Sequence, residues 1–216
     1  MDVQDISQRP TQRRFPLPRL EQLIGAAGMP IFPDLMFRDL REISGCAHLS
    51  ILLFPRGQPI QIVLAANEGP HALSMRIAQK YVVEYWKHDP ANRLAGNART
   101  AELALRFAPN EISDKSYRRD CYGNFDLVDR FSILRKRGET TARLNLYRSR
   151  TSGRFSEAQI GAVVDASSVL FALRIKNHAT PTAVQAAADA ARRRLVLAEP
   201  SLTPRELDIC TGIIGG

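Results

Sequence analysis

The sequence has few cysteines and no long apolar run, the features on which many secreted and membrane-bound proteins depend. Its 216 residues include three cysteines, Cys46, Cys121 and Cys210, which are widely spaced and form no C-x-x-C pair. This usage is typical of reduced thiols in a cytoplasm rather than of a disulfide framework. No apolar run approaches the length of a membrane span, and the N-terminus lacks the basic-then-apolar layout of a secretory signal. We therefore predict a cytoplasmic protein that does not associate with membranes.

Motifs for the common enzyme chemistries are also missing. The four histidines are scattered along the chain: His48, His71, His88 and His178. None has the spacing of a metal ligand beside a cysteine or a second carboxylate, and there is no G-x-S-x-G, P-loop or G-x-G-x-x-G motif. We expect no catalytic residue, no metal and no cofactor. A thiol enzyme that uses Cys121 is the weaker alternative, because Arg118 and Arg119 nearby could lower the pKa of that thiol.

Positive charge is concentrated in one segment. The chain carries a formal net charge of +8, and residues 115–154 alone hold eleven Lys or Arg against four Asp or Glu. Such a segment could face nucleic acid, an anionic ligand or a partner protein. The alternative is that these residues form the solvated outer face of a hairpin.

The first half of the chain predicts two short helices and a hairpin. The helices cover residues 20–27 and 34–44, and each is followed by a glycine stop. Residues 48–54 and 60–66 are rich in Ile, Leu and Val, and the five residues between them form a turn of hairpin length. Because both strands are apolar at nearly every position, we expect them to be central strands covered on both faces.

A longer helix, a second hairpin and a capped helix follow. Residues 71–88 predict a helix that ends at Asp89–Pro90, and residues 100–107 a further short helix. In the second hairpin, strands 130–135 and 142–147 alternate apolar residues, expected to face inward, with arginines and other polar residues, expected to face outward. Ser156 and Gln159 have the spacing of a capping box that opens a helix reaching about residue 177.

The last fifteen residues carry every signal for one further short helix. Thr203 can cap its N-terminus, Pro204 suits the first position and Glu206 completes a capping box. An alanine-rich helix over residues 184–198 precedes it, and two glycines end it.

This closing stretch resembles the start of the LuxR-type helix-turn-helix domain. The resemblance rests on Leu202, Thr203, Pro204, Arg205, Glu206 and Leu207, an apolar helix and a terminal glycine. It implies a first helix that packs under two further helices, of which the last reads the DNA major groove. Because the resemblance stops after the first helix, we expect this chain to have no element that enters the groove.

The order of the upstream elements resembles the GAF and autoinducer-binding sensor folds. Those folds carry a small-molecule cavity between a central antiparallel sheet and its helices. In addition, Tyr81, Tyr85 and Asp89–Pro90 resemble the tyrosine-then-Asp-Pro segment of acyl-homoserine-lactone receptors, where the Asp binds the ligand amide. The resemblance also implies a further pocket tryptophan downstream of this segment. The sequence departs from that pattern, because Trp86 is its only tryptophan. The alternative is that the tyrosines are core aromatics and Asp89–Pro90 a helix stop.

These patterns together predict an α+β fold, a GAF-like antiparallel sheet flanked by helices. We expect a flexible lead-in (1–17), a sensor domain (18–178), a linker helix (179–201) and an incomplete helix-turn-helix (202–216). The candidate ligand-binding residues are Tyr81, Tyr85, Trp86, Asp89 and Phe131.

The expected function is that of a LuxR-family transcriptional regulator. Its partners would be an unknown small-molecule ligand, a second copy of the chain, and DNA once the helix-turn-helix is complete. The helices at 156–177 and 182–198 would transmit the ligand signal. The alternative is a sensor or dimerisation module, or a truncated product, that does not bind DNA.

Overall fold

An antiparallel sheet forms the centre of the computed structural model, which describes residues 2–7, 17–69, 73–97, 101–179 and 203. Within these residues the strands are β1 (Asp2–Asp5), β2 (His48–Pro55), β3 (Gln61–Asn67), β4 (Glu102–Phe107), β5 (Leu127–Arg137) and β6 (Thr140–Ser149). Their order across the sheet is β1-β4-β5-β6-β2-β3, and every neighbouring pair is antiparallel. This architecture confirms the predicted α+β fold.

Helices cover both faces of the sheet. In the described part the α-helices are α1 (Leu17–Gly25), α2 (Phe32–Ser44), α3 (Leu73–Lys80), α4 (Pro90–Asn97), α5 (Lys115–Cys121) and α6 (Glu157–Ala179). A π-helix (Tyr81–Tyr85) and a 3-10 helix (Trp86–His88) continue α3, and further 3-10 turns lie at Pro109–Glu111, Gly123–Phe125 and Arg150–Ser152. None of the described helices is long and apolar enough to cross a bilayer.

One face of the sheet packs against α1, α2 and α6 through an apolar core. The core includes Leu23, Phe32, Met36, Leu40, Ile51, Phe131, Ile133, Leu144, Val163, Leu170 and Phe171. The capping box predicted for α6 is confirmed. The Ser156 hydroxyl accepts a hydrogen bond from the Gln159 N–H at 3.3 Å, and the Gln159 side chain accepts one from the Ser156 N–H at 2.9 Å.

The opposite face is polar along its middle, although helices cover it as well. It packs against α3, the π-helix, α4 and α5. A row of buried side chains crosses three strands, because Ser132 donates to Asn145 at 2.8 Å and Asn145 donates to Ser50 at 3.0 Å. A register slip of one residue would turn this row into the apolar core on the other face. The row therefore helps to fix how β2, β5 and β6 pair.

The prediction that the arginines of the second hairpin point to solvent is wrong. Four of them are buried: Arg130, Arg135, Arg143 and Arg148. Arg130 is 0% exposed and Arg143 is 1% exposed. Arg130 and Arg143 do lie on the face opposite the apolar residues, as predicted, but helices cover that face too. Arg135 and Arg148 instead lie on the apolar face, where they contact Ser168 and Ser44.

Three further predictions are corrected by the strand pairing. The helix predicted over residues 100–107 is wrong, because Glu102–Phe107 is strand β4 between β1 and β5. Pairing with two neighbours overrides the helix preference of its Glu, Leu and Ala residues. Residues 2–5 belong to β1 rather than to a flexible lead-in. The hairpin strand β3, predicted to be central, lies at one edge of the described sheet.

His48 generates a prediction about pH and stability. It lies buried on the polar face, where its Nδ1 is 2.8 Å from the Ser74 hydroxyl, and burial lowers its pKa to about 4. The unfolded histidine titrates near pH ~6.5, so between these values only the unfolded chain binds the proton. The free energy of unfolding should therefore fall, by roughly 2–3 kcal/mol from this group, as the pH drops from about 6.5 to about 4.5.

Urea unfolding of the wild type and of His48→Gln at both pH values isolates this contribution, since the carboxylates titrate equally in the two proteins. The variant should lose less stability on acidification than the wild type. Equal losses in the two proteins would show that His48 is not the responsible group.

Candidate functional site

The Asp89 carboxylate lies at the centre of a buried cluster between the helical layer and the sheet. Asp89 ends the 3-10 turn with extended backbone angles, as expected for a residue that precedes a proline. Its Oδ1 accepts a hydrogen bond from the Ala91 N–H at 3.0 Å, which ties the side chain to the first turn of α4. The side chain is 0% exposed, so its charge must be balanced by the protein.

Two arginines from the sheet supply that balance. Arg130 on β5 binds both carboxylate oxygens, with Nη2 2.9 Å from Oδ1 and Nη1 3.0 Å from Oδ2 of Asp89. Arg143 on β6 adds a third charged hydrogen bond, from Nη1 to Oδ2 at 3.1 Å. The planar guanidinium of Arg130 matches the two carboxylate oxygens, and this geometry gives the strongest type of ion pair.

Tyrosine hydroxyls complete the inner part of the cluster. Tyr81 donates to Asp89 Oδ2 at 2.9 Å. The hydroxyls of Tyr117 and Tyr122 each accept a hydrogen bond from Arg130 Nη1 at 3.0 Å. Both oxygens of Asp89 are therefore engaged by donors from the protein itself.

Aromatic rings and an amide surround the guanidinium groups. The Phe107 ring centre lies 3.8 Å from the Arg130 guanidinium carbon, and the Phe54 ring centre lies 4.7 Å from that of Arg143. The Asn92 side-chain oxygen accepts from Arg143 Nη1 at 2.9 Å. The Nε atoms of both arginines are buried and have no hydrogen-bond partner.

The cluster carries an excess of one positive charge. Burial favours the neutral form of Asp89, but Arg130 and Arg143 outweigh burial and hold the pKa of this carboxyl well below its usual range. Burial raises the pKa of Tyr81, so its phenol stays neutral. Both guanidiniums keep a pKa above the usual arginine value despite their burial, because they face Asp89 and tyrosine oxygens. Two positive charges thus share one negative charge.

A cleft of about 400 Å³ opens beside Arg143, near the β5–β6 turn. It is lined by Phe54, Arg56, Trp86, Asn92, Leu134, Lys136, Glu139, Thr141 and Arg143. Its volume lies in the range of small-molecule sites, roughly 300–1,000 Å³, and its walls combine apolar surface with a few polar groups. The cleft and the cluster share Arg143 and Asn92.

Three of the five candidate ligand-binding residues lie in this region. Tyr81 and Asp89 are in direct contact within the cluster, and Trp86 lines the cleft. The sequence placed all three near each other, as the structure does. Asp89, however, binds arginines of its own chain rather than facing an open cavity.

The other two candidates neither bind Asp89 nor line the cleft, although the Tyr85 ring stacks on Tyr117 of the cluster with the ring centres 5.4 Å apart. The Tyr85 hydroxyl donates to Asp120 Oδ2 at 2.7 Å, and Lys80 contacts the same oxygen at 2.7 Å. Phe131 belongs to the apolar core on the opposite face of the sheet. Of the predicted start of the DNA-binding domain, Leu202, Pro204, Arg205 and Glu206 lie outside the described residues, as does most of the predicted linker, and Thr203 is exposed.

Five residues of the site were missed in the sequence: Asn92, Tyr117, Tyr122, Arg130 and Arg143. One signal could have found the arginines. A carboxylate predicted to lie in a buried pocket requires a cationic partner, and Arg130 and Arg143 occupy matching polar positions on two predicted strands. The tyrosines and the amide carry no comparable signal in a single sequence.

Cys121 does not have the properties of a catalytic thiol. It is 4% exposed, and burial, followed by the negative charge of Asp120, raises its pKa to about 12. The expectation that Arg118 and Arg119 lower this pKa is wrong, because Arg119 is paired with Asp120 and Arg118 contacts the Ile112 carbonyl. No group of three His, Cys, Asp or Glu side chains in the described ranges could hold a metal ion.

The basic segment is divided between the interior and the surface. Two of its arginines lie in the Asp89 cluster, whereas five cations line a second, open cleft of about 610 Å³: Lys115, Arg118, Arg119, Arg150 and Arg154. Asp120 and Asp126 pair with Arg119 and Arg150 in that region. The solvated-face interpretation therefore fits only part of the segment.

Comparison with known proteins finds likeness in fold but not in sequence. No protein-family model and no curated protein matches the chain. The LBD domain of VqsR from Pseudomonas aeruginosa is similar at a TM-score of 0.53 and 20% identity, over 74% of this chain and 94% of that one. This likeness shows a shared fold, in agreement with the GAF-like or autoinducer-domain-like sheet expected from the element order.

Two further structures are more distantly similar. An N-acylhomoserine lactone dependent LuxR family transcription factor from Burkholderia cenocepacia has a TM-score of 0.47 at 16% identity, over 76% of this chain and 93% of that one. A GAF domain/HD domain protein from Geobacter sulfurreducens has a TM-score of 0.43 at 14% identity, over 72% of this chain and 94% of that one.

The charge excess leads to a prediction about stability. Asp89→Asn keeps the shape of the side chain but leaves two buried guanidiniums without a carboxylate. Breaking a buried ion pair on one side costs about 3–5 kcal/mol, so the free energy of unfolding in urea at neutral pH should fall by this order. Adding Arg143→Met to Asp89→Asn restores the net charge of the wild-type cluster and should recover part of the loss.

Asp126→Asn is a matched control, because it removes a carboxylate from the exposed pair with Arg150. Asp126→Asn should lower the free energy of unfolding by at most about 1 kcal/mol. A double variant no more stable than Asp89→Asn alone would contradict the view that excess positive charge limits the stability of the cluster.

Proposed function

We propose that residues 18–178 are the sensory domain of a LuxR-type transcriptional regulator and bind a small molecule in the cleft beside Arg143. The observation that carries this proposal is the cleft itself. Strands β5 and β6 form its floor, the helical layer that contains Trp86 and Asn92 borders it, and its volume is about 400 Å³. The fold shared with the VqsR domain supports the same conclusion.

The position of the cleft suits a regulatory site because Arg143 belongs both to the cleft and to the buried cluster. A ligand that contacts Arg143 acts on the group that joins the sheet to the helical layer. Such a ligand shifts a conformational equilibrium only if it binds one arrangement of the two layers more tightly than another. Because protein donors occupy both oxygens of Asp89, we assign the direct ligand contacts to Trp86, Asn92 and Arg143 instead.

The proposal for DNA rests on the closing stretch of the sequence. Leu202 to Leu207 resemble the first helix of the LuxR-type helix-turn-helix, and the regulator would read DNA as a homodimer through the complete domain. The domain boundaries at residues 178 and 201 belong to the same proposal. A sensor or dimerisation module without DNA binding is the alternative that the experiments below distinguish.

Trp86 allows a direct test of ligand binding, because it lines the cleft and is the only tryptophan in the chain. We expect a ligand found by screening metabolites to raise the Tm of the 216-residue protein and to change its tryptophan fluorescence. In Trp86→Phe the fluorescence signal should disappear while a ligand-induced rise in Tm remains. A screen in which no compound changes both signals in the wild type would contradict the proposal.

A chimera tests the link to DNA. Residues 1–201 would be joined to the complete helix-turn-helix domain of a LuxR-type regulator with a known DNA site and assayed by mobility shift on that site. We expect the chimera to bind this site with an affinity that depends on the screened ligand, because a sensor changes DNA affinity through a coupling free energy. The 216-residue chain serves as the control and should show no sequence preference, because its resemblance to the LuxR-type domain covers only the first helix of that domain.

If the chimera binds the DNA site equally well with and without ligand, the alternative is favoured: a sensor or dimerisation module that does not control DNA recognition. The chain would then still bind a small ligand, but ligand binding would not change the affinity for DNA.

A further inference from the structure

We propose that the ligand of the cleft is a small organic anion, with one acidic group directed at Arg143 and Lys136 and an apolar body against Trp86 and Phe54. This inference rests on the proposed function and adds the chemical class of the ligand. Four observations carry it: the charge balance of the cluster, the charge balance of the cleft, an unused donor on Arg143 and the apolar walls.

The cluster lacks negative charge. Among the described residues, Asp89 is the one carboxylate in contact with Arg130 or Arg143, and both arginines are buried. A buried charge is costly unless it is paired, and here two guanidiniums share a single partner. A second anion near Arg143 would balance the cluster.

The cleft lacks negative charge as well. Three cations line it, Arg56, Lys136 and Arg143, and one carboxylate, Glu139. Glu139 is already paired with Arg56 at 2.8 Å. Lys136 is exposed, and its charge acts on the same Glu139 carboxylate, so Arg56 and Lys136 share one acid. The cleft therefore presents cationic groups that an acidic ligand would neutralise.

Arg143 also has a donor that no protein group uses. Its two terminal nitrogens bind Asp89, Asn92 and Tyr81, whereas its Nε–H is buried without an acceptor. An unsatisfied buried donor costs free energy. The Nε–H is not exposed to the cleft, so a shift of the Arg143 side chain would bring it to an entering carboxylate, and the charge-assisted hydrogen bond would remove that cost. This feature distinguishes the wall at Arg143 from the open basic cleft, where Lys115 and Arg154 are exposed.

The remaining walls favour an organic body over an inorganic ion. Trp86, Phe54 and Leu134 contribute apolar surface to the same cleft. Such surface stabilises a bound apolar group by removing it from water, and it offers nothing to a phosphate or a sulfate ion. The two kinds of wall together select a molecule that has an acidic end and an apolar end.

The test compares acids with neutral molecules of nearly the same shape. The probe pairs are hexanoate and hexanamide, octanoate and octanamide, and 3-phenylpropanoate and 3-phenylpropanamide, with sodium phosphate as an inorganic anion. Each is titrated into the 216-residue protein while the fluorescence of Trp86 is recorded. At least one acid should bind about ten-fold more tightly than its amide, because hydrogen bonds to ionised groups are about twice as strong as neutral ones.

Two substitutions at the end of β5 form a matched pair. Lys136 and Arg137 are adjacent and exposed, and only Lys136 lines the cleft. Lys136→Met should weaken binding of the acid about five-fold or more, whereas Arg137→Met removes the same charge and should change the Kd less than about two-fold. Both positions are at the surface, so the fold should tolerate either change.

The outcomes separate this inference from the proposed function. If the amides, or a neutral N-acylhomoserine lactone, bind as tightly as the acids, the anion inference is wrong while a small-ligand site remains. Phosphate binding as tightly as the organic acids would also overturn the inference, since the apolar walls would then have no role. If neither these probes nor a broad neutral library changes the fluorescence of Trp86 or the Tm, the inference and the proposed function both fail.

Discussion

The ion pairs of Asp89 with Arg130 and Arg143 are, among the described residues, the salt bridges that join the helical layer of α3, α4 and α5 to the sheet. Asp89 belongs to the helical layer, and the arginines belong to the adjacent strands β5 and β6. The helical layer cannot slide over the sheet without separating charges that have no access to water, and that separation costs several kcal/mol. The cluster therefore fixes the position of the helical layer on the sheet. Arg143 belongs to this cluster and also lines the cleft. The cluster therefore fixes the shape of the cleft as well.

Stability alone does not explain the composition of this cluster. Apolar residues of similar volume often replace buried ion pairs without loss of stability, and sometimes with a gain. Here the cluster also carries an unbalanced guanidinium and two Nε donors without acceptors. Aromatic rings next to both guanidiniums reduce these costs but do not remove them. A group kept at such cost beside an open cleft is better explained by a ligand of opposite charge than by the needs of folding.

The sequence predicted the features that depend on neighbouring residues and missed those that depend on distant ones. The capping box at Ser156 follows from local rules, and so does the glycine stop of α2, where Gly45 adopts a φ of 66°. The closeness of Tyr81 to Asp89 also followed from the spacing within one helical segment. By contrast, β1 pairs with a strand about a hundred residues away, and no periodicity reveals such a pairing. The burial of Arg130 and Arg143 depends on helices that cover a second face, and alternation along a strand cannot show which faces are covered.

The Arg143 Nε–H, which has no acceptor, also affects how ligand binding in the cleft would change the rest of the protein. An anion that competed with Asp89 for the terminal nitrogens of Arg143 would loosen the helical layer from the sheet. An anion that used the free Nε–H would add a contact and leave the existing ones in place. The second mode requires the buried Nε–H to become accessible but requires no ion pair to break, so it costs less free energy than the first. A ligand bound in this way would rigidify the junction between the two layers, and a more rigid junction can alter the affinity of a second site without a large change of shape.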